Sequence, residues 1–263
     1  MIQFSSDQLA VMLTAFFWPF VRVLALIGTD PVFGSRSIPA PYKIGYAFLI
    51  TLAIAPMLPA MPAVSPFSAY GLLVMLQQII IGAAMGLVMR VVFTAIEMAG
   101  HLAGMQMGLG FAMFFDPTHG TQVPVVSQIT SLFGILTFFA LDGHLVVLAT
   151  LIQSFQLLPV QLTPLGAGAF RMVFKWGEQI FIMGVTLSLP VVGALLVANL
   201  AIGVMTRAAP QFNLFAVGFP ITLGVGFAVF YYSLPYWTGV LRDFFNTAVM
   251  AMQHILRLMN GAP

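Results

Sequence analysis

No charged side chain interrupts the chain between Ile44 and Met89, between Gln179 and Thr206, or between Ala208 and Leu241. Two further stretches, Thr118 to Leu141 and Gly143 to Phe170, carry nothing more charged than a histidine. A helix needs only about 20 apolar residues to cross a bilayer, so six or seven hydrophobic segments fit along the chain. In lipid every backbone polar group must be paired within the protein, which leaves helices or a closed barrel. A barrel would alternate apolar and polar residues in segments of about 10. These continuous runs of Leu, Met, Ala and Gly do not alternate. The expected fold is an all-α integral membrane protein with about six to seven kinked hydrophobic helices.

Composition narrows the function classes. Charged residues make up 6% of the chain and hydrophobic ones 60%, with a mean hydropathy of +1.04, against roughly 25% charged in soluble domains. Nine basic and seven acidic residues are too few and too scattered for a nucleic-acid footprint. Membrane lipid is the expected surrounding. With no cysteine, disulfides, thiolate catalysis and cysteine metal sites are excluded. No basic region precedes the first apolar run, which reads as a retained segment.

The runs fall in order. A first, about Gln8 to Ile27 with Arg22 inside it, leads to a loop holding Pro31, Pro39 and Pro41. A second, about Ile44 to Leu58, is closed by Pro56, Pro59 and Pro62. The third starts near Gly71 and continues through Arg90 and Glu97 as a long, partly polar-faced helix. Val123 to Leu141 and Leu145 to Leu158 are parted only by Asp142-Gly143-His144, a connection short enough to imply an antiparallel hairpin. A linker from Pro159 to about Gln179 carries Arg171, Lys175, Glu178 and Trp176 and suits a lipid–water boundary. It divides the chain into 1–177 and 178–263. The second part holds two runs, about Ile180 to Met205 and Leu214 to Tyr232, with Pro190 and Pro220 expected to kink them. From Thr238 onward, Leu241, Phe245, Val249, Met252, Leu256 and Met259 recur at helical spacing opposite Arg242, Gln253 and Arg257, an amphipathic tail helix.

The richest segment is EMAGHLAGMQMGLGFAMFFDP, Glu97 to Pro117. Gly100, Gly104 and Gly108 recur every fourth residue and on a helix offer a bare stripe to a neighbouring backbone. Gly82 and Gly86 read as a second packing surface. After Gly108 the pattern breaks. Gln106, Gly110, Phe111, Met113, Phe114 and Phe115 form a bulky, soft segment stopped at Asp116-Pro117. Such a segment in a membrane protein is one way to plug a pore.

Other constellations are weaker. Arg22, Arg90 and Glu97 are intramembrane charges, which need a partner or water. Arg90 and Glu97 lie two helical turns apart on one face, and pairing or subunit contact is the expected use rather than a proton relay. His101, His119 and His144 with Asp116 and Asp142 match no metal-ligand spacing. No serine sits in a nucleophile elbow and no phosphate loop of the G-x-x-x-x-G-K-[ST] type occurs. The chain is expected to be no enzyme, with no catalytic residue, cofactor or metal. A polytopic secondary transporter is the alternative function class, its expected marks being paired broken helices and ion-binding carboxylates.

An ordered set of clusters resembles the FliR family of flagellar export proteins and its SctT counterpart in injectisomes. The set comprises Phe20 and Arg22; Pro31, Phe33-Gly34, Pro39 and Lys43; and Glu97, Gly100, Gly104, Gln106, Gly108, Ala112 and Asp116-Pro117. It continues with Asp142-Gly143-His144, Asn199, Arg207, Pro210-Gln211, Asn213, Phe215, Gly218 and Pro220. The R-x-x-P-Q-x-N-x-F turn between two apolar runs is its most specific piece. The resemblance implies a structural and gating subunit of the type III export channel, in the bacterial inner membrane at the flagellar basal body. It implies assembly with FliP-like and FliQ-like subunits, an FlhB-like protein near the cytoplasmic entrance, and passage of unfolded flagellar subunits. It also implies a FliP-like portion over 1–177 and a FliQ-like hairpin over 178–263, with the plug inside the channel. The turn of Arg207, Pro210, Gln211 and Asn213 would face partners at the cytoplasmic entrance. A count of basic residues on single crossings points the other way, with Arg207 alone opposite Arg36, Lys43, Arg171, Lys175, Arg242 and Arg257.

Overall fold

The computed structural model describes residues 6–62, 64–111, 125–162, 165–209 and 217–261, with side chains from residue 13 to residue 110 and beyond the 112–124 segment. Among the described residues there are eight α-helices and two single-turn 3-10 helices, and no strand. Helix α1 is Ser6–Thr29 and α2 Ala40–Ile54. The second helix begins where Pro39 and Pro41 allow it, since a first-turn proline loses no intrahelical bond. It tightens into a 3-10 turn, Ala55–Met57, at Pro56.

Helix α3, Ala69–Gln106, has 38 residues and a length of about 57 Å, well beyond the roughly 30 Å of a hydrocarbon core. Helices α4, Val125–Ala140, and α5, Gly143–Leu157, follow. The chain bends by 66° at their junction, so this is a broken helix rather than the antiparallel hairpin expected from its short turn. Asp142 makes the bend with a left-handed backbone, φ 55°, a conformation that Asp tolerates better than most residues. Helix α6, Ala167–Trp176, lies within what the sequence presents as a linker.

Helix α7, Gln179–Ala208, contains Pro190. Helix α8, Phe219–Met259, runs for 41 residues, about 60 Å. It absorbs both the last apolar run and the amphipathic tail, which is no separate helix. Pro220 stands in its first turn, where proline fits without a kink, and the internal proline is Pro235. Three helical stretches, Ala40–Met57, Ala69–Gln106 and Ala167–Ala208, are long and apolar enough to cross a membrane, and α4 with α5 makes a fourth if the bent pair is one span. The all-α membrane class follows from these lengths.

The chain forms two compact units. One comprises Met1–Val91, Asp142–Gly177 and Asn246–Pro263, and the other Val92–Leu141 and Glu178–Phe245. In the first, Gly82 and Gly86 let α3 lie directly on α1. A methyl group built at Gly82 would meet the Arg22 carbonyl and come 2.9 Å from Ala25 Cβ; one at Gly86 would meet Thr29 Oγ1 and come 2.7 Å from the Leu26 carbonyl. Trp176 of α6 docks by donating its indole N–H to the Val88 carbonyl at 3.1 Å. In the second unit an aromatic cluster of Phe93, Phe138 and Phe245 packs with ring centroids 5.2–5.7 Å apart, the tilted and edge-on geometries that aromatic rings prefer.

Candidate functional site

The site of interest is the end of α3, in the second unit. Its glycines set the approach of α4. A methyl group at Gly100 would strike Thr130 Oγ1 and come 2.7 Å from Ser127 Cα, and Ser127 Oγ donates to the Glu97 carbonyl at 3.2 Å. Gly104 is buried on the same helix. Gly108 is no part of the stripe. The helix stops at Gln106, and Gly108 turns the chain with φ 86°, a region open to glycine at little cost. A 3-10 turn, Leu109–Phe111, follows.

Met107, between helix and turn, is fully buried. Its side chain lies against Gly226 of α8, where a built methyl group would come 2.6 Å from Met107 Cγ and 2.8 Å from Cε. Thr222, one turn earlier on α8, shares its single hydroxyl proton between the Phe219 carbonyl at 2.9 Å and the Met107 carbonyl at 3.3 Å. Sequence reasoning passes over Met107, Thr222 and Gly226. A glycine within an apolar helix opposite a methionine-rich segment was the only signal.

Gln106, Gly110 and Phe111 thus sit at this helix end. Met113, Phe114, Phe115, Asp116 and Pro117 lie outside the described residues. So do Pro210, Gln211 and Asn213, whereas Arg207 is exposed in the last turn of α7. Arg90 and Glu97 are both exposed on α3. Among the described residues no group of three or more His, Asp or Glu is placed to hold a metal.

Arg22 occupies a different setting. It is 0% exposed in the first unit. Its Nε donates to Gln78 Oε1 at 2.8 Å, one terminal nitrogen to Ser154 Oγ at 3.0 Å, and the other to the Leu158 carbonyl at 2.8 Å. The Phe155 ring lies 4.1 Å from the guanidinium carbon, a cation–π distance. Three helices, α1, α3 and α5, are joined through one side chain, each of whose three guanidinium nitrogens donates a hydrogen bond within this chain. Gln78, Ser154 and Phe155 carry no mark of this role in the sequence.

Helices α7 and α8 also border a groove of about 320 Å³ in the second unit, lined by Thr186, Pro190, Tyr232, Ser233, Tyr236 and Trp237 among others. Pro190 lacks the N–H that would serve the Thr186 carbonyl.

A family model described as "Bacterial export proteins, family 1" matches residues 13–248. The chain belongs to this family. Among curated relatives named "Flagellar biosynthetic protein FliR", that of Pectobacterium carotovorum subsp. carotovorum is 46% identical over 262 residues, covering 100% of both chains. That of Escherichia coli K12 is 43% identical over 229 residues, 87% of each chain. That of Bacillus subtilis 168 is 29% identical over 248 residues, 93% of this chain and 95% of its own. This export-family chain is a membrane-embedded component of the flagellar export apparatus.

Proposed function

We propose that the chain is a structural and gating subunit of the flagellar type III export channel, in the bacterial inner membrane at the basal body. The observation that carries this reading is the end of α3. A glycine-faced helix packed tightly on its neighbours turns at a left-handed glycine and hands the chain to a segment of Phe and Met side chains. Such side chains are large enough to fill a pore and soft enough to yield to a passing polypeptide. The segment Gln106 to Pro117 seals the channel in this reading, and unfolded flagellar subunits displace it.

Assembly with FliP-like and FliQ-like subunits accounts for the surface of α7. That helix buries Met183, Leu187, Val191 and Leu195 on one side and leaves Phe181, Val185, Leu189, Leu196, Leu200 and Val204 exposed along its length. So much apolar surface needs lipid or neighbouring subunits. In this reading 1–177 is the FliP-like portion and 178–263 the FliQ-like hairpin. Its turn, Arg207 to Asn213, meets an FlhB-like partner at the cytoplasmic entrance, and Arg90 and Glu97 pair with neighbouring subunits or water. Membership of an export family favours this over a secondary transporter.

The test replaces Phe111, Met113, Phe114 and Phe115 with Gly and Ser. Cells making the complex should then leak ions and small molecules while the subunits still copurify. An intact complex that stays tight would refute the plug. Native mass spectrometry of the extracted protein checks assembly, and a lone monomer in the presence of the partners would count against the channel.

A further inference from the structure

Helix α6 is fastened at both ends within the first unit. At its start the Gly166 N–H donates to the Met259 carbonyl at 3.2 Å, and a methyl group built at Gly166 would strike the Leu258 carbonyl, so only glycine lets the chain lie this close to the end of α8. At its finish the Trp176 indole is bonded to the Val88 carbonyl of α3, and between these points Ala169 is fully buried. The face turned away from these contacts is fixed with them.

That outward face carries two rows. Phe170 and Phe174 lie one helical turn apart, 41% and 83% exposed, and Arg171 and Lys175 lie beside them at the same spacing, both exposed. Among the described residues neither cation has a hydrogen bond or an ion pair. Glu178, the nearest carboxylate along the chain, offsets one of the two charges and leaves the segment basic. Exposed rings beside basic groups are poorly matched to water and well matched to a bilayer boundary, where rings sit below the headgroups and cations reach the phosphates. The chain brings that boundary close. Only Gly177 and Glu178 part α6 from α7, a reach of about 10 Å, and α7 is an apolar helix of 30 residues, more than the roughly 20 that cross a hydrocarbon core.

We propose that the outward face of α6 is a seat for anionic phospholipid, Arg171 and Lys175 taking the headgroup phosphate while Phe170 and Phe174 enter the acyl boundary. The competing occupant is an acidic surface of a neighbouring subunit. Lipid is favoured because the cations stop where the charge-free run begins, the pattern of a membrane boundary. The proposal rests on the chain's being embedded in a membrane and is independent of the plug.

The chain has no cysteine, so Ala167→Cys, exposed one turn before Arg171, takes a single environment-sensitive fluorophore in this subunit. The complex is extracted with its partners in a neutral detergent, and phosphatidylglycerol or phosphatidylcholine is added in mixed micelles, with the unsubstituted complex treated alike as the control. Phosphatidylglycerol should shift the emission at concentrations where phosphatidylcholine does not. A basic residue at the surface contributes about fivefold in affinity for an anionic membrane, so Arg171→Gln with Lys175→Gln should need about 25-fold more phosphatidylglycerol. Exchanging the cations, Arg171→Lys with Lys175→Arg, should keep the parent response.

Equal responses to the two lipids overturn the proposal, as does a double Gln variant that responds like the parent. A label shielded from iodide before lipid is added, and unmoved by either lipid, would show α6 covered by a neighbouring subunit and would overturn it too. Should the double Gln variant fail to assemble, Arg171→Gln and Lys175→Gln are read singly. Each should shift the phosphatidylglycerol curve about fivefold, and curves that do not move refute the seat.

Discussion

The Arg22 site and the Met107 seat both tie helices together, and they do so in opposite ways. Arg22 gives a fully buried charge three hydrogen bonds and an aromatic face, on partners from α3 and α5. Met107 has one apolar side chain in a glycine notch and one long hydroxyl bond. Breaking the first strands a charge or its partners in a dry interior, whereas breaking the second costs only packing. The difference separates a frame that cannot yield from a hold beside a segment that, in the gate reading, must move.

The sharpest way to break this comparison is Arg22→Ala. It leaves Gln78 Oε1, Ser154 Oγ and the Leu158 carbonyl without their donor, and each buried neutral acceptor left unsatisfied costs about 1–3 kcal/mol. The expected outcome is a large fall in the melting temperature of the extracted protein and in the yield of complex. Arg22→Lys should recover part of the loss, because a single ammonium cannot reproduce the planar fork. Melting of Arg22→Ala at the parent temperature would show that the Arg22 network is no frame.

Next comes Gly86→Leu, at the crossing of α3 on α1. The atoms a side chain would meet there include the Leu26 carbonyl and the Asp30 amide, both backbone, so neither can step aside by changing rotamer. Overpacking typically costs about 1–3 kcal/mol, and this site belongs at the upper end. Met107→Ala should cost less, about 2 kcal/mol, at the low end for a large-to-small change. Its distinguishing outcome is functional, a leaking channel from a complex whose melting temperature falls by less than that of Gly86→Leu. If Gly86→Leu leaked with unchanged melting, or Met107→Ala melted early without leaking, the two regions would have exchanged roles.

Some of this division is legible in the sequence. Charge-free runs dictate buried helices, and Arg22 stands out because a charge within such a run needs a partner. Its partners do not stand out. Gln78 and Ser154 lie 56 and 132 positions away, and no periodicity links them to Arg22. The same holds for Thr222, 115 positions from Met107. Helix α6 is hidden because its ten residues include Arg171, Lys175 and Trp176, which read as an interface linker. The continuity of α8 is hidden because the last apolar run reads as ending near Tyr232 and the amphipathic pattern as starting at Thr238, with Pro235 standing between them. In the structure the surrounding turns hold the helix through it, with the hydroxyls of Ser233 and Thr238 bonded to the Phe230 and Pro235 carbonyls at 2.8 and 2.9 Å. Helical glycines were legible as packing surfaces, but the partner of each was not.

The smallest expected effect is a dependence on pH at the rim of the frame. Asp30 follows α1, is buried, and accepts hydrogen bonds from the Val32 and Phe33 amides at 2.8 Å each. Burial pushes its carboxyl above the ordinary value of 3.8, against the opposing pull of the Phe33 and Val32 amides and of Arg90. A raised value means that the native state holds the proton more tightly than the unfolded chain does. The stability this contributes is present in full below about pH 3.8 and is lost as pH rises through the raised native value. Asp30→Asn keeps an acceptor for both amides and fixes the group as neutral, so it should flatten that slope. Melting of the extracted protein from about pH 4 to about pH 7 checks it, and parallel slopes for parent and variant would show that Asp30 carries no proton linkage. Because Asp30 belongs to the frame, the ion leak should stay flat over the same range. A leak that followed the Asp30 titration would couple the frame to the gate and end the distinction between them.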